Sequence, residues 1–227
     1  MIKGVIFDVG GVLAYDVWEH LLCDPPGDPP SVSARYNVPI KELETIGEDL
    51  WRNFDRVNGD PESLEIDYWQ QFLERSRAFP QLNAIEVPDL VKMTDDFIRP
   101  VNRDETTHLL EWLLNKGAYL GICSNNNEFW SLRQMHKLEL YRYFAPSRVV
   151  LSCHHEITKS DHRLFHIAAN ALGLHPTECA FVDDRMGNVL RSIDCGMVGL
   201  LFPAEQFPAK PQGGAWYLRR VLGEILK

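Results

Sequence analysis

The stretch Val5–Leu13, VIFDVGGVL, places one aspartate at the end of an apolar run and two glycines shortly behind it. An apolar run without alternation is typical of a strand that is buried on both faces of a parallel sheet. We therefore predict a first strand from Lys3 to Phe7, with Asp8 at its carboxyl end. Gly10 and Gly11 allow the backbone to turn and to approach a ligand without interference from side chains.

Further short apolar runs follow along the chain, and amphipathic patterns of helical length separate them. The predicted strands are Ala118 to Cys123, Arg148 to Ser152, Cys179 to Val182 and Met197 to Phe202. The predicted helices are Asp104 to Asn115, Glu128 to Leu140, Asp161 to Leu172, Gly187 to Asp194 and Trp216 to Leu226. Strands that alternate with helices predict an α/β fold, in which helices cover both faces of a parallel sheet.

One long segment, residues 15–100, breaks this alternation because it shows helical periodicity and no convincing buried strand. We predict that it is a helical domain inserted after the first strand, while residues 1–14 and 101–227 form the α/β core. Aromatic residues recur at helical spacing in the insertion, and this spacing predicts that they pack in its interior. They are Trp51, Phe54, Trp69 and Phe72.

Composition and charge limit the classes of partner. The 227 residues carry a formal net charge of −9 without a cluster of Lys and Arg, which argues against nucleic acid and acidic membranes as partners. We also see no apolar run of the ~20 residues that span a bilayer and no secretory leader. The five cysteines have no C-x-x-C spacing, so we expect reduced thiols and a cytoplasmic location. We expect a monomer or homodimer, since neither the final helix nor the segment 15–100 shows a long heptad pattern.

Polar side chains follow four of the apolar runs. Asp8 ends the first, Ser124 and Asn125 follow the second, Lys159 comes shortly after the third, and the pair Asp183 and Asp184 follows the fourth. Ligands of open parallel sheets bind at the carboxyl ends of the strands, so these groups are expected to meet. A carboxylate nucleophile, a hydroxyl, an ammonium and a second carboxylate pair fit phosphate chemistry, and oxygen-only ligands favour Mg²⁺ between Asp8 and Asp184.

With these groups in this order, the sequence resembles the haloacid dehalogenase superfamily of hydrolases, which has a Rossmann-like core. FDVGGVL is similar to its first motif, ICSNN to the second, ITKSDHRLF to the third and FVDDRMGNVLRSIDCGM to the fourth. The helical insertion resembles the subclass I cap. The chain is most similar to the group of sugar phosphatases and epoxide-hydrolase N-terminal domains, so the resemblance implies a Mg²⁺-dependent phosphatase that acts on a small phosphorylated metabolite.

The resemblance also implies roles for particular residues. Asp8 is the expected nucleophile that forms an aspartyl-phosphate, and Lys159 is expected to stabilise both the nucleophile and the phosphate. The expected phosphate-binding residues are Ser124, Asn125 and Gly11. The expected metal site consists of Asp8, the Gly10 carbonyl and Asp184, with Asp183 in support.

Gly10 departs from the family pattern. Typical phosphatases of this superfamily carry a second aspartate at this position, which protonates the leaving group and later activates water, although some sugar-phosphatase relatives have glycine there. Three interpretations follow: a phosphatase that obtains the proton from water, Asp16 or a cap residue, a protein without catalysis that binds phosphate or a partner, or a 2-haloacid dehalogenase. The dehalogenase is the weakest, because such enzymes carry a bulky aromatic residue at this position and use no metal.

Overall fold

A computed structural model describes residues 1–22, 30–100, 103–202 and 214–226. Cys23 and the start of the predicted core segment at residue 101 lie outside these ranges. Within them, Cys123, Cys153, Cys179 and Cys195 are free thiols.

The described core contains a five-stranded sheet in the order β3-β2-β1-β4-β5, and every pair of neighbours is parallel. The strands are β1 (Gly4–Phe7), β2 (Tyr119–Ser124), β3 (Val149–Leu151), β4 (Cys179–Asp183) and β5 (Val198–Leu201). The predicted α/β fold is therefore confirmed. The first strand lies in the centre, so its carboxyl end is flanked by those of β2 and β4.

The helices fall into two groups along the chain. Those before the second strand are α1 (Val17–Leu22), α2 (Val32–Tyr36), α3 (Ile40–Phe54), α4 (Pro61–Arg75), α5 (Val87–Phe97) and α6 (Arg103–Asn115). Those after it are α7 (Glu128–Lys137), α8 (Ser152–His155), α9 (His162–Ala171), α10 (Met186–Asp194) and α11 (Gly214–Ile225). In the part of the chain that the structure describes, none of these helices has the length and hydropathy needed to cross a bilayer.

Two predicted boundaries differ from the structure for local reasons. The helix predicted to reach Leu140 ends at Lys137, because Glu139 adopts a left-handed backbone with φ of 55°. The strand predicted to reach Ser152 ends one residue earlier, and Ser152 begins the short helix α8. The Ser152 hydroxyl is used there, since it accepts a hydrogen bond from the Asn126 N–H at 3.0 Å and donates to the Asp55 carbonyl.

The helical insertion and the sheet have separate hydrophobic interiors. Two buried clusters lie on the sheet, one around Phe7 and one around Phe181, whereas a third lies among helices α1 to α5 and contains Tyr68. The third cluster also includes Phe129 and Trp130 of α7, a helix that follows the second strand of the core. The α7 helix therefore inserts two large aromatic side chains into the interior of the insertion.

The two connections between insertion and core run side by side. Ala14 and Pro100 form an isolated antiparallel bridge, and the Tyr15 N–H donates a hydrogen bond to the Arg99 carbonyl at 2.9 Å. These contacts lie at the predicted division between residues 1–14 and 15–100. The division into two domains stays a prediction.

Candidate active site

The parallel sheet brings Asp8, Ser124 and Asp183 to one edge because β1 pairs with β2 on one side and with β4 on the other. The Asp8 N–H donates to the Val182 carbonyl at 2.9 Å, which fixes the backbone where β1 ends. The side chains of all three residues are buried. The predicted convergence of these polar groups is therefore present in the structure.

Lys159 connects two of these strand ends. Its Nζ lies 2.6 Å from Asp8 Oδ2 and 2.6 Å from Asp183 Oδ2, and only 1% of the residue is exposed. Its backbone N–H donates to Asn125 Oδ1 at 2.8 Å, which ties the segment before α9 to the loop after β2. Burial alone would lower the pKa of Lys159, but the Asp8 and Asp183 carboxylates raise it above its usual value. The ammonium is therefore charged at neutral pH.

The Asp183 carboxylate accepts hydrogen bonds on both of its oxygens and holds Lys159 in position. Its Oδ1 accepts hydrogen bonds from the Arg185 N–H at 2.8 Å and from Asn188 Nδ2 at 3.1 Å. Its Oδ2 accepts from Lys159 and from Asn188. Since both oxygens already have donors, Asp183 holds Lys159 in place and is less available to a metal than Asp184, whose Oδ1 has no donor among the described residues.

The acidic groups fit a divalent cation. Asp8, Asp183 and Asp184 offer carboxylate oxygens that all lie within 4.8 Å of one another. Asp184 Oδ1 is buried, and no hydrogen-bond partner for it exists among the described residues. Burial, followed by the neighbouring carboxylates, raises the pKa of Asp184 to about 7, and burial raises that of Asp8 to about 6 against the pull of Lys159. A bound Mg²⁺ would supply the charge that this oxygen-only set lacks.

Gly11 closes the turn after β1, while its phosphate contact stays a prediction. Its N–H already donates to the Ala14 carbonyl at 2.8 Å, and its backbone is left-handed with φ of 72°. A Cβ at this position would lie 2.3 Å from Asp184 Oδ2. Glycine is therefore needed here to close the turn and to leave space for the Asp184 carboxylate.

The raised pKa values of Asp8 and Asp184 predict how Mg²⁺ stabilises the protein at different pH. The folded chain binds these protons more tightly than the unfolded chain, so the stability they contribute is full in acid and is lost as the pH rises through about 6 and about 7. Mg²⁺ binds the deprotonated carboxylates and counteracts that loss.

We expect the increase in Tm on adding Mg²⁺ to be small at about pH 5 and larger at about pH 8. Thermal melts with Mg²⁺ or with EDTA at each pH measure it. In Asp184→Asn the dependence on pH should be much weaker. An increase of the same size at both pH values would contradict this interpretation.

A cavity of about 520 Å³ opens onto these groups. Asp8, Ser124, Asn125 and Lys159 lie on its core side, where the Asn125 carboxamide nitrogen is a donor suited to a phosphate oxygen. Residues of the helical insertion and of α7 also line the cavity, together with Arg185 of the core. These further lining residues include Asp16, Val17, Trp18, Glu44, Glu48, Trp51, Trp130 and Gln134.

Several of these cavity residues were missed from the sequence. Trp51 was predicted to pack in the interior of the insertion, but it is only partly buried and lines the cavity, whereas Phe54, Trp69 and Phe72 do pack inside. The Trp51 ring stacks on Trp130, with centroids 5.1 Å apart and planes inclined by 17°. Helical spacing alone gives no signal that separates a core tryptophan from one at a cavity.

A family model of haloacid dehalogenase-like hydrolases matches residues 2–190. The chain therefore belongs to the haloacid dehalogenase-like hydrolases, as the four motifs predicted.

Among curated proteins, the chain is 27% identical to the sesquiterpene phosphatase astK of Aspergillus oryzae over 201 residues, which cover 87% of this chain and 88% of that protein. A haloacid dehalogenase family enzyme of Bacteroides thetaiotaomicron has a similar structure, with a TM-score of 0.65, 16% identity and coverage of 90% of this chain and 95% of the other. The same enzyme in complex with magnesium and inorganic phosphate aligns with a TM-score of 0.63 at 16% identity, over 90% of this chain and 96% of that one. The L-2-haloacid dehalogenase of Xanthobacter autotrophicus aligns with a TM-score of 0.54 at 18% identity, over 87% of this chain and 76% of that one. Because these solved structures are only 16% to 18% identical to the chain, the similarity to them establishes its fold and nothing about its substrate.

Proposed function

We propose that this hydrolase is a Mg²⁺-dependent phosphatase of small organic phosphate monoesters, with Asp8 as its nucleophile. The observation that carries the proposal is the buried Lys159, which contacts Asp8 and Asp183 close to an Asp184 oxygen that has no hydrogen-bond partner in the described part of the chain. An ammonium in this place stabilises the ionised Asp8 and the negative charge of a phosphoryl group next to it.

In the proposed reaction, an Asp8 oxygen attacks phosphorus and the bond from phosphorus to the leaving alcohol breaks. Water then attacks the aspartyl-phosphate and restores the Asp8 carboxylate. Ser124 and Asn125 orient the phosphoryl oxygens, and Lys159 offsets their charge. Asp8, Asp184 and the Gly10 carbonyl would hold Mg²⁺, which when bound would further neutralise the phosphoryl charge.

The cavity favours an apolar leaving alcohol. We call Trp18, Trp51 and Trp130 the tryptophan face; all three line the same cavity as the proposed phosphate-binding groups. Trp18 packs directly on Gly47 of α3, where any side chain would overlap its ring. Glu44 and Glu48 also line the cavity, and they disfavour a substrate with a second anionic group. A monophosphate of an isoprenoid alcohol fits these features, and the similarity to a sesquiterpene phosphatase supports that class.

Phosphate release from a panel of monophosphates tests the function directly. The panel contains an aryl, an acyl and a sugar phosphate together with farnesyl monophosphate, each with Mg²⁺ and with EDTA. We expect release that requires Mg²⁺ and that is most efficient with the farnesyl ester. Release of halide from a 2-haloacid without metal would instead indicate a dehalogenase.

The absence of an aspartate at position 10 favours a second candidate, a protein that binds phosphate or a partner without turnover. Binding of inorganic phosphate without release from any ester of the panel would support it. The small phosphorylated metabolite as partner is part of the phosphatase proposal, while the cytoplasmic location and the monomer or homodimer stay predictions.

Trp51→Ala tests the tryptophan face. Because the substitution removes aromatic contact area from the cavity, we expect KM for farnesyl monophosphate to rise about 10-fold. For a phosphate with a small alcohol, KM and kcat should change little. Trp216→Ala is the matched control, since Trp216 lies on α11 and is 57% exposed. An equal change in KM for both esters would contradict a role in binding the apolar group.

A further inference from the structure

In typical phosphatases of this family, an aspartate at the position of Gly10 protonates the leaving group. The proposed phosphatase has no carboxyl group at this position. An alkoxide is a poor leaving group, and general acid catalysis of such a step contributes ~10²- to 10⁴-fold. A monophosphate of an ordinary alcohol therefore needs a proton donor close to the bond that breaks.

Asp16 lies next to the place that the side chain of an aspartate at position 10 would occupy. The chain turns back on itself after β1, since the Ala14 N–H donates to the Val9 carbonyl at 2.9 Å and Ala14 forms a bridge with Gly10. A Cβ built on Gly10 would have Asp16 Oδ2 as its nearest neighbour, at 3.4 Å. The Asp16 carboxylate therefore lies in van der Waals contact with the space where an aspartate at position 10 would begin.

The surroundings of Asp16 fix the orientation of its two oxygens. Oδ1 accepts a hydrogen bond from the Trp18 N–H at 3.0 Å, at the start of α1. Oδ2 lies 3.5 Å from a guanidinium nitrogen of Arg185, which follows the Asp183–Asp184 pair. The Asp16 side chain is 28% exposed and lines the same cavity as Asp8. One oxygen is thus anchored to the helix, while the other lies beside Gly10 and the cavity.

We propose that Asp16 is the general acid and base of this site, a role that rests on the phosphatase function proposed above. When Asp8 attacks phosphorus and the bond to the leaving oxygen breaks, the Asp16 carboxyl group transfers its proton to that oxygen, and a neutral alcohol leaves. The Asp16 carboxylate then takes a proton from the water that attacks the aspartyl-phosphate. Inorganic phosphate leaves, and both Asp8 and Asp16 return to their starting states.

Asp16→Asn separates proton transfer from structure, because asparagine keeps an oxygen that can accept the hydrogen bond at the start of α1. With an alkyl monophosphate, whose alcohol needs a proton, we expect turnover to fall about 10²-fold or more. With 4-nitrophenyl phosphate, whose phenolate leaves without one, we expect a fall of less than about 5-fold. An equal fall with both esters, or none with either, would overturn the proposal.

A second variant tests whether the position of the carboxylate matters. Gly10 does not have the left-handed backbone of Gly11, and a Cβ there meets only ordinary contacts, so an aspartate can be placed at position 10. In Gly10→Asp combined with Asp16→Asn, we expect turnover of the alkyl ester to recover, because a carboxyl group again faces the leaving oxygen. Failure to recover in a protein that still hydrolyses 4-nitrophenyl phosphate would overturn the proposal.

Asp60→Asn is the matched control for the change from a helix-capping aspartate to asparagine. Asp60 is exposed and caps α4 by accepting a hydrogen bond from the Ser63 N–H at 2.9 Å. Turnover of both esters should equal that of the native protein. A native protein that hydrolyses neither ester would overturn the phosphatase proposal itself, whereas an active native protein with an indifferent Asp16→Asn would overturn the role of Asp16 alone.

Discussion

Asp8→Asn should reduce phosphate release by on the order of 10⁴-fold or more, because it replaces the carboxylate that attacks phosphorus in the proposed mechanism. Asparagine has nearly the shape of aspartate, but its carboxamide is not a nucleophile towards a phosphate ester. The Asp8 side chain is buried at the end of the central strand, and its Oδ2 lies 2.6 Å from Lys159 Nζ. Among the described carboxylates, Asp8 alone has both of these features. The measurement is turnover of the best ester of the panel with Mg²⁺.

The same variant should remain folded. Burial raises the pKa of Asp8, which means that the fold disfavours its charge, and Lys159 keeps Asp183 as a partner. We therefore expect Tm and the binding of inorganic phosphate to change much less than turnover. Turnover within about 10-fold of the native protein would contradict nucleophilic catalysis by Asp8.

Lys159→Met should lower the free energy of unfolding by about 3–5 kcal/mol, because breaking a buried ion pair leaves charges without compensation. The substitution would leave Asp8 and Asp183 close to each other in a buried place without the ammonium that lies between them. It should also abolish turnover. Denaturant unfolding in EDTA measures the stability without a contribution from Mg²⁺.

Lys3→Met is the matched control for that measurement. Lys3 forms an ion pair with Glu178 at 2.6 Å, but its side chain is 52% exposed, and we expect only a small loss of stability. In Lys159→Met combined with Asp183→Asn, part of the lost stability should return, because one of the uncompensated carboxylates is removed. A loss in Lys159→Met no larger than in Lys3→Met would show that the buried ion pairs do not hold the strand ends together.

The sequence predicted those parts of the molecule that depend on local pattern. Short apolar runs identified the five strands, and the parallel arrangement then placed Asp8, Ser124 and Asp183 at one edge. The resemblance to the family predicted that Lys159 lies beside Asp8, whereas its burial and its second contact, with Asp183, were not predicted. The strands and the meeting of their polar ends follow from the order of elements and need no knowledge of the packing between insertion and core.

The remaining features depend on that packing. Trp51 lines the cavity because its ring stacks on Trp130, a residue about eighty positions later in the chain. The role of Gly11 became visible only from the 2.3 Å that would separate its Cβ from Asp184. Asp16 was only one of several conceivable proton donors until the turn after β1 placed it beside Gly10.

The insertion of α7 into the helical segment determines how the cavity can change shape. Trp130 lies in edge or tilted contact with Tyr68 and Trp69, and Arg133 of the same helix forms an ion pair with the buried Glu65. A rotation that opened the cavity widely would have to pull this indole out of an aromatic cluster and expose a buried carboxylate. We therefore expect the cavity to keep its width while ligands enter and leave. If the protein is the proposed phosphatase, its preference among phosphate esters should then depend on whether the alcohol fits along the rigid aromatic wall formed by Trp51 and Trp130.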